Sequence, residues 1–154
     1  MKILVLAPQP FFEQRGTPIA VRELLAVLSQ QGYSLDVLTY HQGQNISLPD
    51  CRIHRLPRLP GIRDIRPGLT SKKLICDAVM VFKLIRMLRR QQWDIIHAVE
   101  ESVFMALAAK LLFGVPYVYD MDSSLPNQIV EKLGVLVPCR WLFRLFERLA
   151  IRHS

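Results

Sequence analysis

The first forty residues leave little choice of fold. Ile3 to Ala7 is an unbroken apolar run that Pro8 ends, the pattern of a strand buried on both faces of a parallel sheet. A polar loop runs on to Gly16. Thr17 then offers an N-cap hydroxyl, and Pro18 takes the first helical position, where a missing N–H does no harm. Ile19, Leu24, Leu25 and Leu28 mark the apolar side of this helix, and Gly32 stops it after Gln31. Tyr33 to Tyr40 reads as a second strand, which completes a βαβ unit.

The alternation continues beyond the unit. Arg52 to Leu56 fits a short strand, and Pro57 to Thr70, with three prolines and two glycines, fits a mobile loop. Lys72 to Gln92 predicts a long helix with Leu74, Ile75, Val79, Phe82, Ile85 and Leu88 facing inward. Trp93 to Val99 predicts a strand, Glu101 to Phe113 a helix closed by Gly114, and Pro116 to Met121 a further strand. Short joints between alternating strands and helices define an α/β chain with a Rossmann-like, doubly wound, mainly parallel sheet. At 154 residues and 51% hydrophobic content, the chain can bury a core of that kind without disulfide or metal staples.

Cysteine usage argues for a reducing compartment. Cys51, Cys76 and Cys139 are odd in number, widely spaced and form no CxxC pair. Cys51 and His54 have ligand-like spacing but no second pair to complete a zinc site, so no metal is expected. The apolar run at the N-terminus is too short for a signal peptide. The longest apolar stretch, Val103 to Tyr119, is broken by Lys110 and Pro116. These features predict a cytoplasmic protein.

In open α/β sheets, ligands bind outside the carboxyl ends of the strands. That rule selects Arg15-Gly16-Thr17 after the first strand, Glu100 and Glu101 after the Trp93–Val99 strand, and Asp120, Asp122, Ser123 and Ser124 after the last. Gly16 before a helix N-terminus lets backbone come close to an anion; it is equally an ordinary loop glycine. Neither GxGxxG nor a Walker sequence is present. Asp122-Ser123-Ser124 reads either as a helix cap or as a carboxylate able to accept a hydroxyl hydrogen bond or proton.

The net charge of +7 is not evenly spread. Arg52, Arg55, Arg58, Arg63, Arg66, Lys72 and Lys73 face only Asp64 over the same stretch, with Leu56, Leu59, Ile62, Ile65 and Leu69 interleaved. A basic, apolar, proline-broken loop suits an anionic membrane surface, with Arg58, Arg63 and Arg66 as the contacts. It lacks the aromatic platforms of a single-strand nucleic-acid binder, so no nucleic-acid partner is expected. A second basic row, Arg140, Arg144, Arg148 and Arg152, lies beside Trp141, Phe143 and Phe146. It reads as a membrane-surface helix, as a core helix with snorkelling arginines, or as a face for another domain.

The order and spacing of several segments carry a resemblance. These are the first strand, Arg15-Gly16-Thr17-Pro18, Val21-Arg22-Glu23-Leu24-Leu25, Gln31-Gly32-Tyr33 to Thr39, Asp94-Ile95-Ile96-His97-Ala98, Ala106 to Lys110, and Gly114-Val115-Pro116-Tyr117-Val118. Over nearly its whole length the chain resembles the N-terminal, acceptor-side domain of retaining glycosyltransferase family 4, one half of the two-domain GT-B architecture. The resemblance implies hexosyl-type transfer from a nucleotide-diphosphate sugar, with retention and without a further cofactor. It places Arg15, Gly16 and Thr17 at the donor diphosphate, and Glu100, Glu101 and Ser123 at the acceptor. The family often has a histidine where this sequence has Asp122, so Asp122, or Asp120 two residues earlier, is the carboxylate implied at the reacting centre. It also implies a separate C-terminal donor-binding domain, without which this half is expected to be inactive. A lipid-linked acceptor at the inner membrane face fits the basic loop. The alternative is a non-catalytic membrane-docking or interaction subunit of the same fold.

Overall fold

Five parallel strands form one sheet in the order β3-β2-β1-β4-β5. They are β1 (Lys2–Ala7), β2 (Ser34–Thr39), β3 (Cys51–Arg55), β4 (Ile95–Val99) and β5 (Tyr117–Asp120). The helices are α1 (Gly16–Gln30), α2 (Ser71–Arg90) and α3 (Val103–Phe113), the last preceded by a 3-10 turn at Glu100–Ser102. The computed structural model describes residues 1–65, 70–121 and 151.

The strands explain why their sequences are apolar rather than alternating. In β1, Leu4 and Leu6 point into a core shared with α2 and α3, while Ile3, Val5 and Ala7 point into a second core under α1. All five are at most 4% exposed. A strand covered on both faces has no solvent side on which to place polar residues. Val5 pairs with Val37 on one side and His97 on the other, so β1 is the centre of the sheet.

Both helix faces differ from the expected ones. The buried side of α1 is Pro18, Val21, Leu25 and Ser29, and Ile19 is exposed. The buried side of α2 is Cys76, Met80, Leu84 and Leu88, a clean four-residue repeat. Leu74, Ile75 and Phe82 lie on the solvent side, Phe82 at 75% exposure. Helix α2 is apolar around much of its circumference, so hydrophobicity alone does not fix its phase. Its start is fixed by Thr70, whose hydroxyl accepts from the Lys73 amide at 3.2 Å.

The proline-rich segment after β3 is pinned as far as residue 65. Leu56, Ile62 and Ile65 are buried in the core. His41 Nε2 contacts the Ile62 carbonyl at 3.1 Å, and the Ile65 amide donates to Gln42 Oε1 at 3.3 Å. The expected mobility of this loop is therefore corrected as far as residue 65: three of its interleaved apolar residues are spent on the core. Arg58 and Arg63 remain exposed. Arg66 lies outside the described residues.

Candidate functional site

The strand order reverses between β1 and β4, and such a switch point opens a crevice at the carboxyl ends of the two strands. The loop from Pro8 to Arg15 leaves β1 there, and the 3-10 turn leaves β4 opposite it. Across the crevice, Thr17 Oγ1 in the first turn of α1 donates to Glu100 Oε1 at 3.1 Å. Thr17 is therefore not the N-cap expected of it. Arg15, in extended conformation, is the residue before the first turn, and its side chain makes no capping bond. The Thr17 hydroxyl is turned instead to the Glu100 side chain.

Gly16 opens α1, and among the described residues a methyl built on it would meet nothing within 4 Å beyond its chain neighbours and the helix's own backbone. Neither packing nor backbone angle demands glycine here, so the position leaves open space beside the uncapped helix start. With no acidic residue in the first turn, the amides and the helix dipole present positive potential to that space. Arg15 is paired to Glu13 at 3.0 Å.

Glu100 has φ +50°, a left-handed conformation that costs a non-glycine residue of order 1–3 kcal/mol. The turn is held by Ser102, whose buried hydroxyl contacts the Leu6 and Val99 carbonyls at 3.1 and 2.7 Å. Strain over-determined by its surroundings is characteristic of functional turns. Nothing in the sequence pattern singled out Ser102, although a lone serine among apolar residues is a usable signal.

Glu101 turns inward. It forms an ion pair with Lys73, and both side chains are largely buried. Burial pushes the Glu101 carboxyl up, against the opposing pull of the Lys73 charge. One helical turn on, Asp77 accepts from the buried Tyr40 hydroxyl. Burial raises the Asp77 carboxyl and, with the Asp77 charge, raises the Tyr40 hydroxyl too. Tyr40, Lys73, Asp77 and Glu101 thus form a buried polar cluster between the carboxyl end of β2, the start of α2 and the 3-10 turn. Sequence reasoning reached only Glu101 of these four; Asp77 on the inward side of an apolar helix was the missed clue.

The loop after β1 is braced from β3. Arg55 donates through Nη1 to the carbonyls of Phe11 and Gln42, and through Nη2 to the Gln44 carbonyl at 2.8 Å. Backbone bonds between Phe11 and Gln42, and between Phe12 and Gln44, complete the clamp. One guanidinium fork therefore fixes two carboxyl-end loops against each other. On the far side, Asp120 ends β5 with His97 Nε2 3.3 Å from its Oδ2. Asp122 and Ser123 lie outside the described residues, as do Cys139 and the arginine row from Arg140 to Arg152. No described helix is long and apolar enough to cross a membrane.

Fold and crevice together define a Rossmann-like domain with an anion-favouring helix start at its topological switch point. The model of the glycosyl transferase 4-like domain family matches residues 15–154. The chain belongs to that family, which makes it a glycosyltransferase-type domain. None of the curated proteins matches it. Among solved structures it is similar to sucrose-phosphate synthase from Thermosynechococcus elongatus, with a TM-score of 0.67 and 18% identity. That match covers 93% of this chain and 39% of the synthase, so the chain spans well under half of the protein it resembles. It also matches the C-terminal domain of a hydrogenase from Pyrococcus furiosus at a TM-score of 0.49 and 16% identity, covering 78% of this chain and 91% of that domain.

Proposed function

We propose that the chain is the acceptor-side half of a two-domain glycosyltransferase, moving a hexose from a nucleotide-diphosphate sugar with retention. The observation that carries this reading is the open space at Gly16 facing the Thr17–Glu100 bond across the switch point. The uncapped amides of α1 receive diphosphate oxygens, and Thr17, held by Glu100, lines the same wall. No metal is needed for that contact, because the helix start supplies the positive potential. Asp120, with His97 behind it, sits at the end of the edge strand, and Asp122 follows it in sequence. Either carboxylate orients the acceptor hydroxyl, with Arg15 beside it and Ser123 next to Asp122 in sequence; Glu101, turned inward onto Lys73, holds the turn from below.

A second domain closes the crevice and selects the donor, so this half alone does not turn over. The acceptor is lipid-linked and the protein works at the cytoplasmic face of a membrane, a reading supported by the exposed Arg58 and Arg63. The test uses the full-length protein with a panel of nucleotide-diphosphate hexoses and a polar-lipid extract, reading products by mass spectrometry and anomeric configuration by NMR. Glycolipid of retained configuration is expected. Replacing Gly16 by Val is expected to abolish transfer while moving stability by no more than about 1 kcal/mol, since a Cβ there meets no described atom beyond its own chain neighbours and helix backbone. Wild-type turnover in Gly16→Val, or turnover by the 154-residue chain alone, overturns the reading.

A further inference from the structure

A groove of about 610 Å³ runs along the outer flank of α2 beside the edge strand β3. It lies on the α2 face of the sheet and extends from Val79 toward Arg90 and Trp93. It therefore runs toward the amino ends of the strands, away from Gly16 and Glu100. Its volume falls in the range of small-molecule pockets, about 300–1,000 Å³. Val79, Met87 and Trp93 give it an apolar floor, and Phe82, which is 75% exposed, forms its lip.

The polar lining carries one sign of charge. Lys83, Arg86 and Arg90 line the groove, three cations at successive turns of one helix, and no carboxylate lines it. Among the described residues, neither Arg86 nor Arg90 is in an ion pair. Lys83 Nζ donates to the Arg55 carbonyl, which holds its ammonium at the wall. The one acid beneath the floor, Asp36, is already engaged. It accepts from Trp93 Nε1 at 3.0 Å and Gln91 Nε2 at 3.2 Å, and His54 Nε2 lies 2.6 Å from its other oxygen. That network fixes the Trp93 ring as floor and holds the Asp36 carboxylate beneath it, with three cations against one anion around the groove. Three cations over an apolar trough are complementary to a molecule with an acidic head and an apolar tail.

We propose that this groove binds a single-chain anionic amphiphile, its tail on Val79, Met87 and Trp93 and its carboxylate or phosphate on Arg86 and Arg90. The site is independent of the glycosyl-transfer reading and is separated from the switch-point crevice by the body of the sheet. A concave trough fits one chain taken out of water, whereas a bilayer presents a flat surface.

The test uses the purified 154-residue chain and calorimetric titration with dodecyl phosphate and with laurate, both below their aggregation concentrations. Inorganic phosphate and an uncharged dodecyl maltoside serve as controls. Saturable binding of one acid per chain is expected. The neutral detergent and inorganic phosphate are each expected to bind at least about tenfold more weakly, since each keeps only half of the complementarity. Arg86 and Arg90 are exposed, so Arg86→Gln/Arg90→Gln is expected to fold with an unchanged circular-dichroism spectrum and to lose about tenfold in affinity. In a Trp141→Phe background, quenching or a blue shift of Trp93 emission locates the tail. Equal binding of the neutral detergent, binding of inorganic phosphate alone, unchanged affinity in the double variant, or binding to anionic vesicles without binding of monomers overturns the proposal.

Discussion

Gly43 has φ +114°, and a methyl placed on it would meet the Phe11 backbone carbon and oxygen at 2.3 Å. Both facts point to the Arg55 clamp, in which the loop after β2 lies directly against the loop after β1. Gly43→Ala is therefore expected to cost about 3 kcal/mol, from positive-φ strain plus overpacking against backbone that cannot move aside. Urea denaturation reads the loss directly; a loss under about 0.5 kcal/mol, the range of ordinary surface changes, would show that the two loops are not clamped. A second residue-scale effect belongs to Asp77. Burial raises its carboxyl above the ordinary value of 3.8, against the Tyr40 hydrogen bond and the Lys73 charge. The native chain then holds a proton that the unfolded chain has released, so this group's contribution falls as pH rises through that window. Glu101, on the other side of Lys73, acts in the same direction, and Asp36 acts oppositely, being lowered: burial is outweighed by His54 and Trp93. Asp77→Asn keeps a partner for Tyr40 and removes one titration. Its stability relative to the parent is expected to rise between about pH 4 and pH 7, measured by thermal unfolding. A constant difference across that range would refute the assignment.

At the scale of elements, strands were more legible than helix faces, and the reason is physical. A strand buried on both sides needs only a run such as Ile3–Ala7, and no phase has to be chosen. Helix stops were equally readable, because the positive φ values of 75° and 71° at Gly32 and Gly114 are ones that few other residues accept. Helix α2 needed a phase, and Leu74, Ile75 and Phe82 are as apolar as the Met80 and Leu84 that won the core. The clue lay in polar residues: Lys73 and Asp77 sit on the inward side only because each has the other, with Glu101 and Tyr40, as partners. The carboxyl-end rule located Gly16, Thr17 and Glu100, yet not the Thr17–Glu100 bond, which joins residues 83 apart in sequence. Arg55 was counted only as one charge of the basic run, since sequence gives no sign that two other loops would bring it their carbonyls. The phase of α2 is testable. Met80→Ala is expected to cost about 2–5 kcal/mol as a buried deletion, and Phe82→Ser less than about 0.5 kcal/mol. Equal losses in chemical denaturation would mean that the assigned face is wrong.

For the whole molecule, the charge asymmetry acquires a different meaning once the core is known. The basic segment after β3 looked like an amphipathic membrane anchor because its cations alternate with Leu56, Ile62 and Ile65. Those three side chains are at most 8% exposed, so between residues 56 and 65 they cannot serve both the core and a bilayer. The charges it offers outward are Arg58 and Arg63, with Asp64 beside them, so its attraction to a membrane is mainly electrostatic. Electrostatic attraction to an anionic leaflet contributes about 1 kcal/mol per basic residue near it and decays within a Debye length. That length shrinks from about 10 Å at 0.1 M salt to about 3 Å at 1 M, whereas buried apolar area is not screened. If this surface is how the domain reaches a lipid-linked acceptor, co-sedimentation with phosphatidylglycerol vesicles is expected at low salt. It should be abolished near 1 M salt and weakened by Arg58→Ser/Arg63→Ser, a pair whose exposed side chains leave the fold unchanged. Salt-resistant binding would place the membrane contact on apolar side chains elsewhere, and binding indifferent to both arginines would remove this segment from the interface altogether.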